Sequence, residues 1–470
     1  MPARTVSPRW RWAIGLFVRA GLRTYFRRIE HFRIERAPAA GPVLFVSNHP
    51  GSITDAFIIS ASVPRPVHFL ATVRLFRFAP LGALLTTCGV SPVNRRQDDP
   101  KAMATVADTF ARCYDVFEAG GAIGIFPEGI SYNDDQLKPI KTGAARMALE
   151  IEDRHDGRLG LMIAPVGLTY SAKDRFRSDA LVHFGAPFRA ADWLASYRAN
   201  RHEGVRELSG AIERRLRELI LDLPSLDHQR IVASVKQLYL DRLRLGNLIV
   251  TEPMAPGAEE LMLGRAIGDA LAHFEAREPE RLAGFVVELM RYERRLWLLG
   301  LSDRTIGAIA DGRMRRPGVA RSALLAIGAP IAVYGWAHRL APIWCIDWAL
   351  DRFAPAENRR SQVAHGSMVA GLIAFGGLYL AAAALMWRLV GPTAAAIYLF
   401  SLPLTGLFAH WYLGQLAQHA GHVRSSRVLY RLPIGRRHLV RMRERLIAAI
   451  EALRSDYRRD VLGVTPPSAP

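Results

Sequence analysis

Two side chains able to do acid–base chemistry stand close together in Asn48-His49-Pro50-Gly51-Ser52-Ile53-Thr54-Asp55, where a His and an Asp have five residues between them. A neutral imidazole takes a proton from a hydroxyl near neutral pH. A carboxylate behind it fixes the ring's tautomer and stabilises the imidazolium that results. The pair therefore suits activation of an alcohol or of water. The same two residues also suit a helix cap or a surface ion pair, so the choice turns on what surrounds them.

The surroundings are those of a strand end. Pro42-Val43-Leu44-Phe45-Val46-Ser47 is an apolar, β-branched run of the kind that forms a buried strand. Pro50-Gly51-Ser52 supplies a turn, with Ser52 placed to cap a helix running through Ile53, Phe57, Ile58 and Ile59. His49 then closes the strand, Asp55 sits in the first helical turn, and the two face each other across the loop.

Three later blocks carry further chemistry at strand ends. Gly89-Val90-Ser91-Pro92-Val93-Asn94-Arg95 sets an Arg just after a strand-like Pro-Val. Ile123-Gly124-Ile125-Phe126-Pro127-Glu128-Gly129 is a strand ending in an acid, followed by Leu137-Lys138-Pro139-Ile140-Lys141-Thr142-Gly143. Ile163-Ala164-Pro165-Val166-Gly167-Leu168-Thr169-Tyr170 is again strand-like and leads into Asp174-Arg175-Phe176-Arg177-Ser178. In this order the four blocks resemble the glycerolipid acyltransferases, the family that includes lysophosphatidic acid and glycerol-3-phosphate acyltransferases. The resemblance covers residues 30 to 190. Most of that family has four residues between the His and the Asp. The five found here, the Asn-His-Pro in front and the Arg-Phe-Arg-Ser block are similar to the branch of fungal glycerol-3-phosphate and dihydroxyacetone-phosphate acyltransferases and their bacterial relatives.

The resemblance implies acyl transfer, with His49 as base and Asp55 as its orienter. A guanidinium grips phosphate oxygens in bidentate fashion, which makes Arg95 the first candidate for an acceptor phosphate. Glu128 and Gly129 fall, by resemblance, in the acceptor-binding motif, with Glu128 bonding a glycerol hydroxyl or holding Arg95. Lys141 is a second phosphate candidate, with Arg175 and Arg177 behind it; an ordinary solvated charge is the other reading of each. There is no Gly-x-Ser-x-Gly nucleophile elbow, so direct attack is expected. His49 deprotonates the acceptor hydroxyl, its oxygen attacks the thioester of acyl-CoA or acyl carrier protein, and the thiol leaves. This scheme needs no metal and no cofactor beyond the thioester co-substrate. Backbone N–H groups of the turn at residues 50–52, or a water, are candidates for the oxyanion.

Composition narrows the partners. Of 470 residues, 62 are Lys or Arg and 43 are Asp or Glu, a net charge of +19 that calls for an anionic partner. The 50% apolar content, with long charge-free runs near the C-terminus, points to anionic lipid and phosphorylated small molecules rather than nucleic acid. Cys88, Cys113 and Cys345 lack metal-ligand spacing and imply no disulfide framework, so the catalytic part should face a reducing compartment.

Residues 9 to 30 mix aromatics with Arg19, Arg23 and Arg27, which share one helix face. This is expected to be a helix in a membrane interface with its arginines toward lipid phosphates; a signal peptide or a soluble amphipathic helix are the alternatives. Alternating strands and helices from Phe32 to Pro187 predict an α/β layer structure with His49, Arg95 and Glu128 on one rim if the strands share a sheet. Residues 198–320 read as a solvated helical subdomain. Ser322 to His338 is uncharged but interrupted by Pro330, the pattern of a re-entrant or interfacial segment. Uncharged runs at 367–387 and 393–413 have the length of a transmembrane hairpin, with flanking arginines that place both ends in the cytoplasm. A buried helical hairpin of a soluble core is the alternative. His419 and His422 share a helix face but lack acidic ligands nearby, so they read as packing residues. Leu439, Met442, Leu446, Ile450 and Leu453 put the basic tail in the register of an amphipathic helix at a membrane surface.

The expected organisation is an interface helix at 1–30, an α/β acyltransferase domain at 31–197, a helical subdomain at 198–320, membrane-embedded segments at 321–423 and a basic tail at 424–470. The expected activity is synthesis of phosphatidic acid from 1-acyl-glycerol 3-phosphate at the inner membrane, with the active site facing the cytoplasm. Glycerol 3-phosphate or dihydroxyacetone phosphate are alternative acceptors. A non-catalytic lipid-binding protein and a lipid hydrolase are the readings from other classes. Four intact motif residues speak against the first, and a phosphate-reading Arg against the second.

Overall fold

The computed structural model describes residues 8–76, 82, 85–86, 90–93, 104–129, 136–172, 176–245, 255–312, 319–353 and 359–463. The chain divides into two compact units. One comprises Met1–Asp222, Met254–Leu261 and Arg352–Val369; the other comprises Leu223–Pro253, Met262–Asp351 and Ala370–Pro470.

In the first unit, helix α1 (Pro8–Tyr25) leads into β1 (Arg28–Phe32) and β2 (Val43–Ser47), followed by α2 (Ile53–Ser62), β3 (Val67–Thr72) and β4 (Val90–Val93). Then come α3 (Ala104–Glu118), β5 (Ala122–Ile125), α4 (Gly143–Arg154), β6 (Met162–Tyr170), β7 (Asp179–Phe184) and β8 (Phe188–Arg189), with α5 (Leu194–Ala199) and α6 (Arg201–Arg217) last. The strands form one mixed sheet in the order β1-β7-β6-β2-β5-β3-β4, with β8 paired to β6. β2 runs parallel to β6 and β5, and β3 runs parallel to β5 and β4. β7 returns antiparallel to β6. The expected α/β layers are therefore present, and β2, β5, β4 and β6 end on one rim.

The continuous apolar run in β2 follows from its central place, since every one of its residues is buried. Leu44 and Val46 face a core built with Phe117 of α3, Met147 of α4 and Leu208 and Ile212 of α6. Val43 and Phe45 face the opposite layer, with Leu22 of α1 and Ile58 and Ile59 of α2. Each such buried Leu, Ile or Phe contributes roughly 1.5–3 kcal/mol, which clamps the strand ends that carry the site.

Three boundaries differ from expectation. The N-terminal helix ends at Tyr25, and Arg28–Phe32 is an edge strand paired with β7. Its polar Arg28, Glu30 and His31, none of them fully buried, suit a strand at the sheet's edge. Leu22 and Phe26 point into the protein core, while Arg19 and Arg23 are exposed. The first unit also runs past residue 197, because α6 lays Leu208, Ile212 and Leu216 on the sheet.

In the second unit, helices Leu226–Leu245, Pro279–Leu299, Asp303–Ala310 and Pro433–Leu462 share a core that includes Val235, Leu289, Tyr292, Ile306, Leu439, Leu446 and Ile450. The basic tail therefore spends its apolar stripe on a helical bundle, which corrects its expected place on a membrane surface. Asp303 secures the bundle, accepting from Tyr292 Oη at 2.7 Å and from Arg443 Nε at 2.9 Å.

Helices Val319–Phe353, Arg359–Leu389 and Pro392–Arg431 are long and apolar. Ala320–Trp348 and Pro392–Arg431 have the length and composition to cross a membrane, with 17% and 22% of their most apolar stretches buried, whereas the core helix of a soluble protein is mostly buried. Trp336, Trp344, Trp348, Phe400 and Trp411 are among their exposed residues. The first of these helices runs uninterrupted through Pro330, where a break is expected from the sequence, and through Pro342 as well. The run at 393–413 lies in the second. The run at 367–387 lies in Arg359–Leu389, whose described apolar stretch is Ala374–Leu389. Tyr412 Oη donates to Leu325 O at 2.7 Å, and His419 Nε2 lies 3.0 Å from Ser322 Oγ.

Candidate active site

The sheet order β6-β2-β5 decides what meets at the rim. β2 delivers Asn48 and His49, β5 delivers Phe126 and Glu128, and β6 delivers Tyr170; the crevice beyond the carboxyl ends of parallel strands is where α/β sheets place ligands. Asn48 extends the β2–β6 ladder with its side chain. Its Nδ2 donates to Leu168 O at 2.9 Å, and its Oδ1 accepts from Leu168 N at 2.7 Å. The residue before His49 is thus fixed to the neighbouring strand.

His49 Nδ1 and Asp55 Oδ2 are 2.9 Å apart. The Asp55 side chain is fully buried and that of His49 is 14% exposed, so the imidazole alone offers the pair to the surface. The His49 ring lies flat on Phe126, with centroids 4.0 Å apart and planes 12° apart. With Nδ1 committed to Asp55, Nε2 is the nitrogen left to take a proton from a hydroxyl.

The turn between them differs from a simple Ser cap. Ser52 stands at the N-cap with φ 51°, a left-handed conformation uncommon for a residue with a side chain, and its side chain makes no capping bond. Asp55 reaches back instead, accepting from Gly51 N at 2.7 Å through Oδ2. This takes the Gly51 N–H off the set of oxyanion candidates. A Cβ on residue 51 would lie 2.1 Å from Asp55 Oδ1 and 2.7 Å from Tyr170 Oη, so only glycine lets the loop close over the carboxylate.

Glu128 is buried and accepts two backbone N–H groups, His49 N at 2.7 Å on Oε1 and Lys138 N at 3.1 Å on Oε2. It ties the His49 turn to the segment leading to Lys141. Burial pushes its carboxyl above the ordinary range, against the pull of those two N–H bonds. Gly129 has φ +74°, and a Cβ there would lie 2.9 Å from Lys141 Nζ, so the lysine chain passes directly over it. The exposed Lys141 is thereby brought beside the Glu128 turn.

Arg95 lies outside the described residues, as does Arg175. The strand that precedes Arg95, β4, ends on the same rim. Arg177 is occupied elsewhere: its Nη1 donates to Arg23 O at 3.2 Å and to Phe26 O at 3.4 Å, closing the end of α1. Sequence reasoning assigned no role to Tyr170, whose Oη donates to Asp55 Oδ1 at 2.5 Å. The available signal was a hydroxyl at an alternating apolar position of a buried strand, which must find a partner. Burial and the neighbouring Asp55 push its phenol far above the ordinary range, so it serves as a donor.

Residues 28–169 match the family model described as Acyltransferase. An uncharacterized acyltransferase of Schizosaccharomyces pombe is 26% identical over 196 residues, 41% of this chain and 27% of that protein. Glycerol-3-phosphate O-acyltransferase 1 of Saccharomyces cerevisiae is 31% identical over 134 residues, 28% of this chain and 18% of its own length. Human 1-acyl-sn-glycerol-3-phosphate acyltransferase beta is 30% identical over 139 residues, 30% of this chain and 48% of that protein. The chain thus spans about a quarter or less of the length of the two fungal relatives.

Proposed function

From the match of residues 28–169 to a family model described as Acyltransferase, we propose that the protein is a membrane-bound O-acyltransferase of phospholipid synthesis. It moves a fatty acyl group from a thioester, acyl-CoA or acyl carrier protein, to the free hydroxyl of 1-acyl-glycerol 3-phosphate. The observation that carries this reading is the 2.9 Å contact from His49 Nδ1 to the fully buried Asp55.

The steps follow from that geometry. His49 Nε2 takes the hydroxyl proton as the oxygen attacks the thioester carbonyl, and Asp55 stabilises the imidazolium. The tetrahedral adduct collapses, the C–S bond breaks, and the imidazolium returns the proton to the departing thiolate. Lys141 beside the Glu128 turn, and Arg95 beyond β4, supply the positive charge that an acceptor phosphate needs. The exposed apolar helices Ala320–Trp348 and Pro392–Arg431 support residence in a membrane; the proposed setting is the cytoplasmic membrane, with the arginines flanking the apolar runs on its cytoplasmic side. Their lipid setting favours an acceptor that already carries one acyl chain.

Glycerol 3-phosphate is the second reading, favoured by the 31% identity to the yeast enzyme. Incubating the detergent-solubilised protein with acyl-CoA and each acceptor separately, with products identified by mass, tests both. Phosphatidic acid from the first acceptor supports the leading reading, and lysophosphatidate from the second supports the alternative. Thiol release with free fatty acid as the only product would overturn both.

A further inference from the structure

Asp55 is held from a direction that the His–Asp pair does not require. Its Oδ2 accepts from His49 Nδ1 and Gly51 N, while its Oδ1 accepts from Tyr170 Oη at 2.5 Å. Tyr170 is held in turn by a stack on Phe26, with centroids 5.7 Å apart and planes 23° apart. Phe26 lies at the end of α1, where Arg177 N donates to Tyr25 O at 2.7 Å and Arg177 Nη1 donates to Arg23 O and Phe26 O. Tyr25 and Phe176 pack edge to face over the same corner. The end of the N-terminal helix is thus connected by defined contacts to the carboxylate behind the base.

We propose that Tyr170 is a positioning residue for Asp55, and that Phe26 holds Tyr170, so that α1 is a working part of the site. The proposal rests on the acyl-transfer reading for its kinetic consequences but not for its geometry. A carboxylate held by one donor on Oδ1 and two on Oδ2 cannot swing about its Cβ–Cγ bond. His49 is therefore kept in one tautomer and aimed outward. Removing the phenol leaves a buried oxygen without that donor and the negative charge less neutralised, which favours the imidazolium and takes the base out of its working form. Among the described residues, the titratable groups around the dyad include Tyr170 on β6, Tyr25 beside it, and Glu128 on the neighbouring loop.

Tyr170→Phe keeps the ring and its stack and removes only the hydroxyl. Its kcat should fall roughly tenfold with the acceptor KM little changed, and the acidic limb of the kcat/KM profile should move to higher pH. Phe26→Ala should produce the same changes to a smaller extent. In the Tyr170→Phe background Phe26→Ala should add less than it does alone, because it acts through the missing hydroxyl. A second readout needs no turnover: carbethoxylation of His49 by diethyl pyrocarbonate, followed by mass spectrometry against pH, reports when the ring becomes neutral. That curve should shift upward in Tyr170→Phe whatever the substrate. An unmoved curve, with a lower unfolding temperature only, would reduce Tyr170 to a packing residue and overturn the proposal. A shifted curve in a protein that transfers no acyl group would leave the positioning role standing and remove the acyl-transfer reading instead.

Discussion

Glu128 Oε1 accepts the backbone N–H of His49 at 2.7 Å, so the carboxylate of one motif sets the main chain of the other. Its second oxygen takes Lys138 N at 3.1 Å. A role in fixing the loops thus accompanies the acceptor-binding place that the family resemblance implies for this residue. Glu128→Gln is nearly isosteric, yet it turns an acceptor into an N–H₂ donor facing a backbone N–H. Leaving that buried donor unsatisfied costs about 1–3 kcal/mol. The variant should unfold several degrees lower and lose most of its kcat. Thermal unfolding with steady-state kinetics checks this; wild-type values for both would show that the two bonds do not set the loop.

Gly51 and Gly21 separate close approach from glycine content. A methyl at 51 meets Asp55 and Tyr170 within 3 Å, whereas one at 21 meets nothing within 4 Å. Gly51→Ala should lower kcat by a factor on the order of 100, because displacing the carboxylate spoils the base's orientation. Gly21→Ala, in a helix, should leave activity intact and raise stability by up to about 1 kcal/mol. Equal effects of the two changes would contradict the packing described.

How much of this was legible beforehand depends on the range of the interaction. The His49–Asp55 pair is local, and strand, turn and helix signals over residues 42–59 were enough to bring it together. Strands β2, β5 and β6 also followed from apolar runs, since central strands are buried on both faces. Edge strand β1 did not, because Arg28 and Glu30 look like surface helix. Tyr170 lies 115 residues from its partner Asp55, and nothing local could pair them. The basic tail shows the opposite error: an amphipathic stripe is the same whether it meets lipid or a helical bundle, and only the positions of Val235, Leu289 and Ile306 decided the matter.

Asp179 joins the end of α1 to the sheet, accepting from Arg27 Nε at 2.9 Å and from Arg28 Nη2 at 3.2 Å. Its bond to Arg27 is the main cause that holds its carboxyl at about 2, below the ordinary range. A depressed folded value contributes stability above the unfolded value, and that stability is lost as pH falls toward the folded one. Asp179→Asn should therefore lower the unfolding temperature at pH 7, with a smaller difference from wild type at pH 3 and a smaller one again at pH 2. A difference independent of pH would rule out the ion pairs as its source.

In the proposed function, Arg95 and Lys141 are the candidates for binding the acceptor phosphate. Arg95→Ala and Lys141→Ala should each raise the acceptor KM, by roughly tenfold or more for Arg95, while the KM for acyl-CoA stays within about twofold. Initial rates with each substrate varied in turn give the answer. A rise confined to the acyl-CoA KM would move the phosphate-binding role to the donor.

The central claim is that His49 is the base of an acyl transfer. Thiol release from acyl-CoA in the presence of 1-acyl-glycerol 3-phosphate, compared between wild type and His49→Ala at matched folding and membrane content, tests it most directly. General-base catalysis is worth about 10²–10⁴-fold, so the variant's rate should fall by about that factor with its unfolding temperature unchanged. A His49→Ala protein that forms phosphatidic acid at the wild-type rate would contradict the account.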